Sequence, residues 1–231
     1  MLSEKLVKSC ENCMVAWKNF KNLSKDEIRL VDENRYEATF KPGEIILKQG
    51  SPASNAVFLA SGMAKVYIEG LDNKSFILNI ALPTQLIIGP GLHVHARHSF
   101  SVSALTVVQA CFISFDIINQ LIRQNVEFAN GMIEDLSVKS YTDHTKLISL
   151  TQKKMPGRLA EAILFFSDEV YKSDVFDIIL SRQEIGDMTN MAKESVVRIL
   201  KELENSGVIR SDCSKITILD KEKLRVISER G

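Results

Sequence analysis

Residues 181–203 read SRQEIGDMTNMAKESVVRILKEL, and this stretch decides the fold of the C-terminal part of the chain. Ser181 and Glu184 have the spacing of a capping box, which predicts that a helix begins at Arg182. Asn190 tolerates a left-handed backbone and therefore suits a tight turn after that helix. A second helix follows the turn, so the stretch predicts two short helices joined by a tight connection.

The second of these helices has two chemically different faces. Four apolar residues recur at helical spacing and are expected to pack inward: Val196, Ile199, Leu200 and Leu203. Four others recur on the outward side: Glu194, Val197, Arg198 and Lys201. Arginine can pair with guanine, glutamate can accept from cytosine, and lysine can bind phosphate. The outward face therefore predicts a helix that reads the DNA major groove, and a merely solvated face is the alternative.

The same stretch resembles the helix-turn-helix of Crp/Fnr-type bacterial transcription regulators, through residues 182–186 (RQEIG) and 193–204 (KESVVRILKELE). In that family the positions matched by Lys193, Glu194 and Arg198 make phosphate and base contacts. Ala192 departs from the pattern, because it replaces a Ser or Thr N-cap at a cost of about 1 kcal/mol. The predicted DNA-binding residues are Arg182, Lys193, Glu194, Ser195, Val197, Arg198 and Lys201.

Length and composition are those of a globular chain with one large or two small domains: 231 residues, 45% hydrophobic and 25% charged. The 29 basic and 29 acidic residues cancel, whereas a nucleic-acid binder usually has a basic excess. No apolar run approaches the ~18 residues of a membrane span, and the first residues lack the apolar core of a signal peptide. We expect a cytoplasmic protein without membrane association. Neither a nucleophile–base pair nor a phosphate loop suggests an enzyme.

Residues 36–113 change to the pattern of short strands separated by turns, which predicts an all-β sandwich or barrel. Here the resemblance to the family widens. The segments Lys41-Pro-Gly-Glu44, Lys48-Gln-Gly50 and Ser61-Gly62 resemble the glycine pattern of a cyclic-nucleotide-binding-like jelly roll. Glycine at these positions permits a positive φ at the barrel corners.

The chain is therefore predicted to be an α+β protein with four parts. These are an N-terminal segment with a cysteine pair (1–22), a sensory jelly-roll β-barrel (23–125), a long dimerisation helix (126–153) and a winged helix-turn-helix domain (154–231). The long helix carries apolar residues at spacings of three and four, as in a coiled coil. The predicted dimer seam comprises Met132, Leu136, Asp143, Leu147 and Leu150. A homodimer is expected because two reading helices on a palindromic operator need two-fold symmetry.

The sequence leaves the effector open among several alternatives, and the first is a cyclic nucleotide. Family members that bind one use a Gly-Glu-Leu cassette followed by Arg-Ser, and the matching residues here are Gly89, Pro90, His98 and Ser99. His98 cannot form the bidentate clamp of a guanidinium. On the long helix, Asp143 and His144 match the family's ligand-contacting positions, and a carboxylate there would repel a cyclic phosphate. These departures argue against cyclic AMP.

The second alternative is an iron–sulfur cluster, because Cys10, Cys13 and Cys111 resemble part of the cysteine set of the oxygen-sensing Fnr branch. Asn19 stands where that branch has a further cysteine, so the set of four sulfur ligands is incomplete. The third alternative is haem or a metal bound by His93 and His95, which would share a face on a strand. An unknown small ligand in the barrel is the fourth.

We expect a Crp/Fnr-type regulator that binds a palindromic operator in duplex DNA as a homodimer. Contact with RNA polymerase is implied by the resemblance. The alternative function is an effector-binding regulatory module that acts through protein partners and has a degenerate DNA-binding domain.

Overall fold

A computed structural model of the chain describes residue 10, residues 17–71 and residues 74–231. The described residues form two compact units. The first consists of the described residues among 1–69 and 78–139, and the second of the described residues among 70–77 and 140–231. Within these ranges, no helix combines the length and the apolar character that crossing a membrane requires.

Eight strands form two four-stranded sheets with the orders β1-β8-β3-β6 and β2-β7-β4-β5. The strands are β1 (Arg35–Phe40), β2 (Ile45–Leu47), β3 (Asn55–Ser61), β4 (Ala64–Glu69), β5 (Ser75–Ala81), β6 (Leu86–Ile87), β7 (Ser101–Ala104) and β8 (Val108–Ser114). In the first sheet β8 lies between β1 and β3, and both pairings are antiparallel. The arrangement is a double-sheet jelly roll, which confirms the predicted fold class.

Glycines occupy the sharp corners of this jelly roll. Gly43, Gly50 and Gly62 have φ values of 87°, 80° and 83°, as the glycine pattern predicts. At Gly62 a Cβ would lie 2.2 Å from the carbonyl oxygen of Val107, so a larger residue would force the two turns apart.

Three helices belong wholly or partly to the first unit: α1 (Lys25–Glu33), α2 (Phe115–Gln124) and α3 (Val126–Gln152). Helix α1 begins with a capping box, the Ser-x-x-Glu spacing of residues 24–27, since Ser24 and Glu27 each accept the other's backbone N–H. The Trp17 ring is buried and meets Phe20 and Phe128 edge-on, with centroids 5.8 and 5.6 Å away. This apolar contact fastens the segment that begins at Trp17 to the first turns of α3.

One residue of the predicted dimer seam lies in the core of its own unit. Met132 is only 4% exposed, because it packs into the core of its own unit with Trp17 and Phe128. The adjacent Ile133 is 61% exposed instead. Leu136 and Leu147 are exposed, and Leu150 is half-buried.

The second unit contains the helices α4 (Met155–Phe165), α5 (Arg182–Thr189), α6 (Lys193–Asn205) and α7 (Lys221–Arg230). A three-stranded sheet with the order β10-β11-β9 accompanies them, formed by β9 (Val175–Asp177), β10 (Ile209–Asp212) and β11 (Lys215–Ile218). The predicted wing hairpin is β10–β11. Strand β9, which pairs antiparallel with β11, was not predicted from the sequence.

Candidate nucleic-acid interface and sensory residues

The turn between α5 and α6 has the geometry that the sequence predicts. Helix α5 begins at Arg182 with a capping box in which Ser181 and Glu184 exchange hydrogen bonds. Asn190 ends the helix with a left-handed backbone, φ 52° and ψ 57°. The Met191 N–H then donates to the Gly186 carbonyl oxygen at 3.0 Å. A side chain at Gly186 could not be accommodated, because its Cβ would lie 2.5 Å from the Met191 carbonyl oxygen.

Helix α6 buries one face and exposes the other. Its buried residues are the four apolar ones that the spacing predicts: Val196, Ile199, Leu200 and Leu203. Its exposed residues include Lys193, Glu194, Val197, Arg198 and Lys201, whereas Ser195 is half-buried. Ala192 provides no side-chain cap for the helix. The structure thus brings six of the seven predicted DNA-binding residues together on α6, five of them exposed.

Arg198 has an acidic neighbour one turn along α6. Its Nη1 lies 2.6 Å from Oε1 of Glu202, and the two side chains are 56% and 53% exposed. An exposed pair of this kind contributes at most about 1 kcal/mol. The pair can therefore orient the guanidinium along the helix surface without preventing it from bonding to a base.

Arg182 has a different environment from the other predicted DNA-binding residues. Its Nη2 donates to the carbonyl oxygen of Cys213 at 2.5 Å and to the hydroxyl of Ser211 at 3.3 Å, both in the β10–β11 hairpin. Burial lowers the pKa of Arg182, although a guanidinium remains charged at neutral pH. Arg182 therefore ties the start of α5 to the wing, a role that only the folded arrangement reveals.

The residues matched to a cyclic-nucleotide cassette do not present a positive charge. His98 is 7% exposed, and burial lowers the pKa of its imidazole, so the ring is neutral at physiological pH. Ser99 is exposed, and Gly89 packs against the ring of Phe100, whose Cε1 would lie 2.8 Å from a Cβ at that position. His144 is an exposed residue of α3 in the second unit.

The histidine-rich segment does not form the strand on which His93 and His95 were expected to share a face. A short 3-10 helix spans Pro90–Leu92, and His95 lies in a turn with φ 62°. Both His93 and His95 are exposed. In the part of the chain that the structure describes, no three His, Cys, Asp or Glu side chains form a group that could hold a metal ion.

Cys10 and Cys111 both lie beside a buried guanidinium. Nε of Arg35 donates to Oδ1 of Asp32 at 2.8 Å, and Nη1 approaches the Sγ of Cys111 at 3.8 Å. The same Nη1 pairs with Glu37, and the Cys10 N–H donates to Asp32 at 3.2 Å. Burial raises the pKa of the Cys10 thiol to about 12, so it stays protonated at neutral pH.

Asn19, at the position of a further family cysteine, has a structural partner. It is 3% exposed and donates through Nδ2 to Asp135 of α3 at 3.1 Å. Its amide also packs on Gly131, where a Cβ would lie 2.6 Å from Oδ1. Cys13 lies outside the described residues. The position of the family's further cysteine is therefore occupied by an amide that is bonded to α3, and it supplies no sulfur ligand.

Comparison with known proteins matches both units to one kind of protein. Residues 157–227 match the family model of a Crp-like helix-turn-helix domain, and residues 37–125 match that of a cyclic nucleotide-binding domain. The transcriptional activator protein anr of Pseudomonas aeruginosa is 24% identical over 188 residues, which cover 80% of this chain and 77% of that protein.

Two further relatives extend the comparison. The cAMP-activated global transcriptional regulator CRP of Salmonella typhimurium is 26% identical over 177 residues, covering 75% of this chain and 84% of that protein. The solved structure of FixK2 from Bradyrhizobium japonicum superposes with a TM-score of 0.76 at 18% identity, covering 84% of this chain and 96% of FixK2. These likenesses span both units of the chain.

Replacing Arg182 tests its contact with the wing. We expect Arg182→Ala to lower the free energy of unfolding by about 1.5–3 kcal/mol, because two hydrogen bonds from a charged, partly buried donor are lost. Amide hydrogen exchange in residues 209–218 should become faster. Urea unfolding and exchange mass spectrometry measure the two effects, with Arg210→Ala, an exposed arginine of the same hairpin, as the matched control. Unchanged exchange in the wing would show that Arg182 does not hold it.

Proposed function

Because the chain belongs to the Crp/Fnr family of transcription regulators, which are not enzymes, we propose that it binds a palindromic operator as a homodimer. The observation that carries the proposal is the exposed face of α6, on which an acid, an arginine and two lysines surround Val197. A helix-turn-helix places such a face in the major groove. A cytoplasmic location and contact with RNA polymerase belong to the same proposal.

We assign the contacts on α6 by their chemistry. Arg198 and Glu194 read base edges, since a guanidinium can bond guanine bidentately and a carboxylate can accept from cytosine. Lys193 and Lys201 neutralise phosphates. Arg182 is bonded to the wing, and we therefore assign it to holding the wing instead of to direct base contact.

The proposed dimer uses the exposed stripe of α3. When the exposed Ile133 takes the place of the buried Met132 in the proposed seam, spacings of four and three alternate strictly. The seam residues are then Ala129, Ile133, Leu136, Ser140, Asp143, Leu147 and Leu150. This spacing is the a/d pattern of a two-stranded coiled coil. The large apolar members Ile133, Leu136 and Leu147 are 61%, 51% and 60% exposed, so they are available to a second copy.

The effector is proposed to be neither an iron–sulfur cluster nor a cyclic nucleotide held in the usual manner. Arg35, with its two carboxylates, occupies the space beside Cys10 and Cys111, and Asn19 is bonded to α3. His98 supplies no positive charge for a cyclic phosphate. These contacts favour a different small ligand in the jelly roll.

Operator binding provides the central test. After selection of a binding sequence from random duplexes, we expect Arg198→Ala to weaken operator affinity by about 1–3 kcal/mol and to relax preference at one base pair. Lys201→Ala should instead weaken binding to all sequences and reduce the slope of log K against log salt by about 1. Lys41→Ala, which changes an exposed lysine of the other unit, serves as the control.

Unchanged affinity in Arg198→Ala would refute the assignment of the reading helix. An absence of any salt-dependent duplex binding by the unaltered protein would favour the function through protein partners.

The dimer seam is tested by a charge placed in the stripe. We expect Leu147→Asp to shift the protein from dimer to monomer, because the new carboxylate would be buried opposite its own copy without a partner. Val138→Asp is the matched control, since Val138 is 59% exposed on α3 but lies off the a/d series. Sedimentation equilibrium measures both variants. Equal dissociation constants for the two would place the interface elsewhere.

Iron–sulfur reconstitution tests the proposed absence of a cluster. After anaerobic incubation with iron and sulfide, we expect the desalted protein to show no visible absorption band above that of Cys111→Ser, because the ligand set lacks a fourth sulfur. Iron analysis of the same samples gives a second measurement. Stoichiometric iron and a visible band that disappear in Cys111→Ser would overturn this part of the proposal.

A further inference from the structure

Arg158, in the first turn of α4, bonds to two parts of the second unit at once. Its Nη1 donates to the carbonyl oxygen of Leu150 at 2.9 Å, in the last turn of α3. Its Nη2 donates to the carbonyl oxygen of Asn190 at 3.2 Å, in the turn before α6. One planar guanidinium therefore joins the end of the dimerisation helix to the start of the reading helix.

The contact at Leu150 is favourable because the last carbonyl groups of a helix lack partners within the helix. A cation there also meets the negative end of the helix dipole. The end of α3 is held to α4 by further contacts, since Glu161 accepts from Ser149 and pairs with Lys153, whose Nζ lies 3.0 Å away. Arg158 is thus one of several polar contacts that hold the end of α3 against α4.

The contact at Asn190 stabilises the turn between α5 and α6, which has few other stabilising contacts. Helix α6 starts at Lys193 without a side-chain cap, and the bond from Met191 to Gly186 fixes the turn only from within the helix-turn-helix. Arg158 adds a bond to that turn from α4.

The guanidinium makes these contacts at a cost. Its Nε is buried and has no hydrogen-bond partner among the described residues. A buried donor without a partner is unfavourable, so packing alone does not explain an arginine at this position. A residue that needed only to fill the space could be apolar, whereas the two outer nitrogens reach two carbonyl groups in different elements.

We infer that Arg158 is a positioning residue for operator binding, which fixes the direction of the reading helix relative to the end of the dimerisation helix. This inference rests on the proposed function. In a dimer, the two reading helices must match half-sites one helical turn apart, about 34 Å. A fixed junction within each protomer therefore sets which half-site spacing is accepted.

The inference predicts a loss of spacing selectivity that a base-contacting residue would not cause. The test uses the selected operator and two versions of it, in which the centre is longer or shorter by one base pair. We expect the unaltered protein to bind the correct spacing best. Arg158→Met should bind that operator about tenfold more weakly, because the hydrogen bonds from one charged group are lost. It should also discriminate less among the three spacings. Its penalty for a mismatched base within a half-site should be unchanged.

Two further variants complete the experiment. Arg158→Lys keeps the charge, but its single ammonium has no planar fork, so its spacing selectivity should be intermediate. Arg198→Ala should show the opposite result, with altered base discrimination and normal spacing selectivity. If Arg158→Met does not fold by circular dichroism, the lysine variant decides. Unchanged spacing selectivity in a folded Arg158 variant would overturn the inference and leave the proposed function intact. A failure of the unaltered protein to bind any duplex would instead refute the proposed function itself.

Discussion

The direction of α6 depends on a close approach of two backbone segments at Gly186. The Met191 N–H bonds to the Gly186 carbonyl, and the Met191 carbonyl lies so near the Gly186 Cα that no Cβ would fit between them. Asn190 allows this return of the chain because it adopts the left-handed backbone that most residues avoid. Since Ala192 cannot cap α6 with a side chain, the turn determines the direction of α6 relative to α5. Every contact attributed to the exposed face of α6 depends on that direction.

Local sequence signals predicted much of this arrangement, and tertiary contacts explain where they did not. Capping boxes and helical spacing depend on residues three or four apart, so the starts of α1 and α5 and the buried face of α6 could be predicted. Met132 and Ile133 are adjacent apolar residues, and each lies three or four residues from both Ala129 and Leu136, so the spacing alone fits either one into the seam. Only the position of Trp17 and Phe128 decides which of them is buried. Arg182 was predicted as a DNA contact from its charge and its position near α6, and its hydrogen bonds to the wing could not be predicted because the two partners lie about 30 residues later in the chain. Strand β9 has only three residues, too few to show a periodicity.

A charged group is enclosed within the unit that contains the jelly roll. Arg35 is buried with two carboxylates beside it, so the group is electrostatically satisfied without any additional ion. Asn19 and Trp17 attach the preceding segment to α3 through one hydrogen bond and one aromatic cluster. Residues 17–22, the described end of the predicted cysteine-bearing segment, are therefore part of the packing of α3. A signal that loosened this segment would therefore alter the support of α3 directly.

The charge balance of the chain has a consequence for how it would find a promoter. Helix α6 itself carries three basic and three acidic residues, and the 29 basic and 29 acidic residues of the whole chain also cancel. Long-range attraction to DNA and sliding along it both depend on neutralised phosphates, so a neutral protein gains little from either. We expect brief residence on bulk genomic DNA and a search dominated by repeated three-dimensional encounters. Occupancy of a promoter would then follow the concentration of competent dimer closely, with little protein stored on non-target sequence.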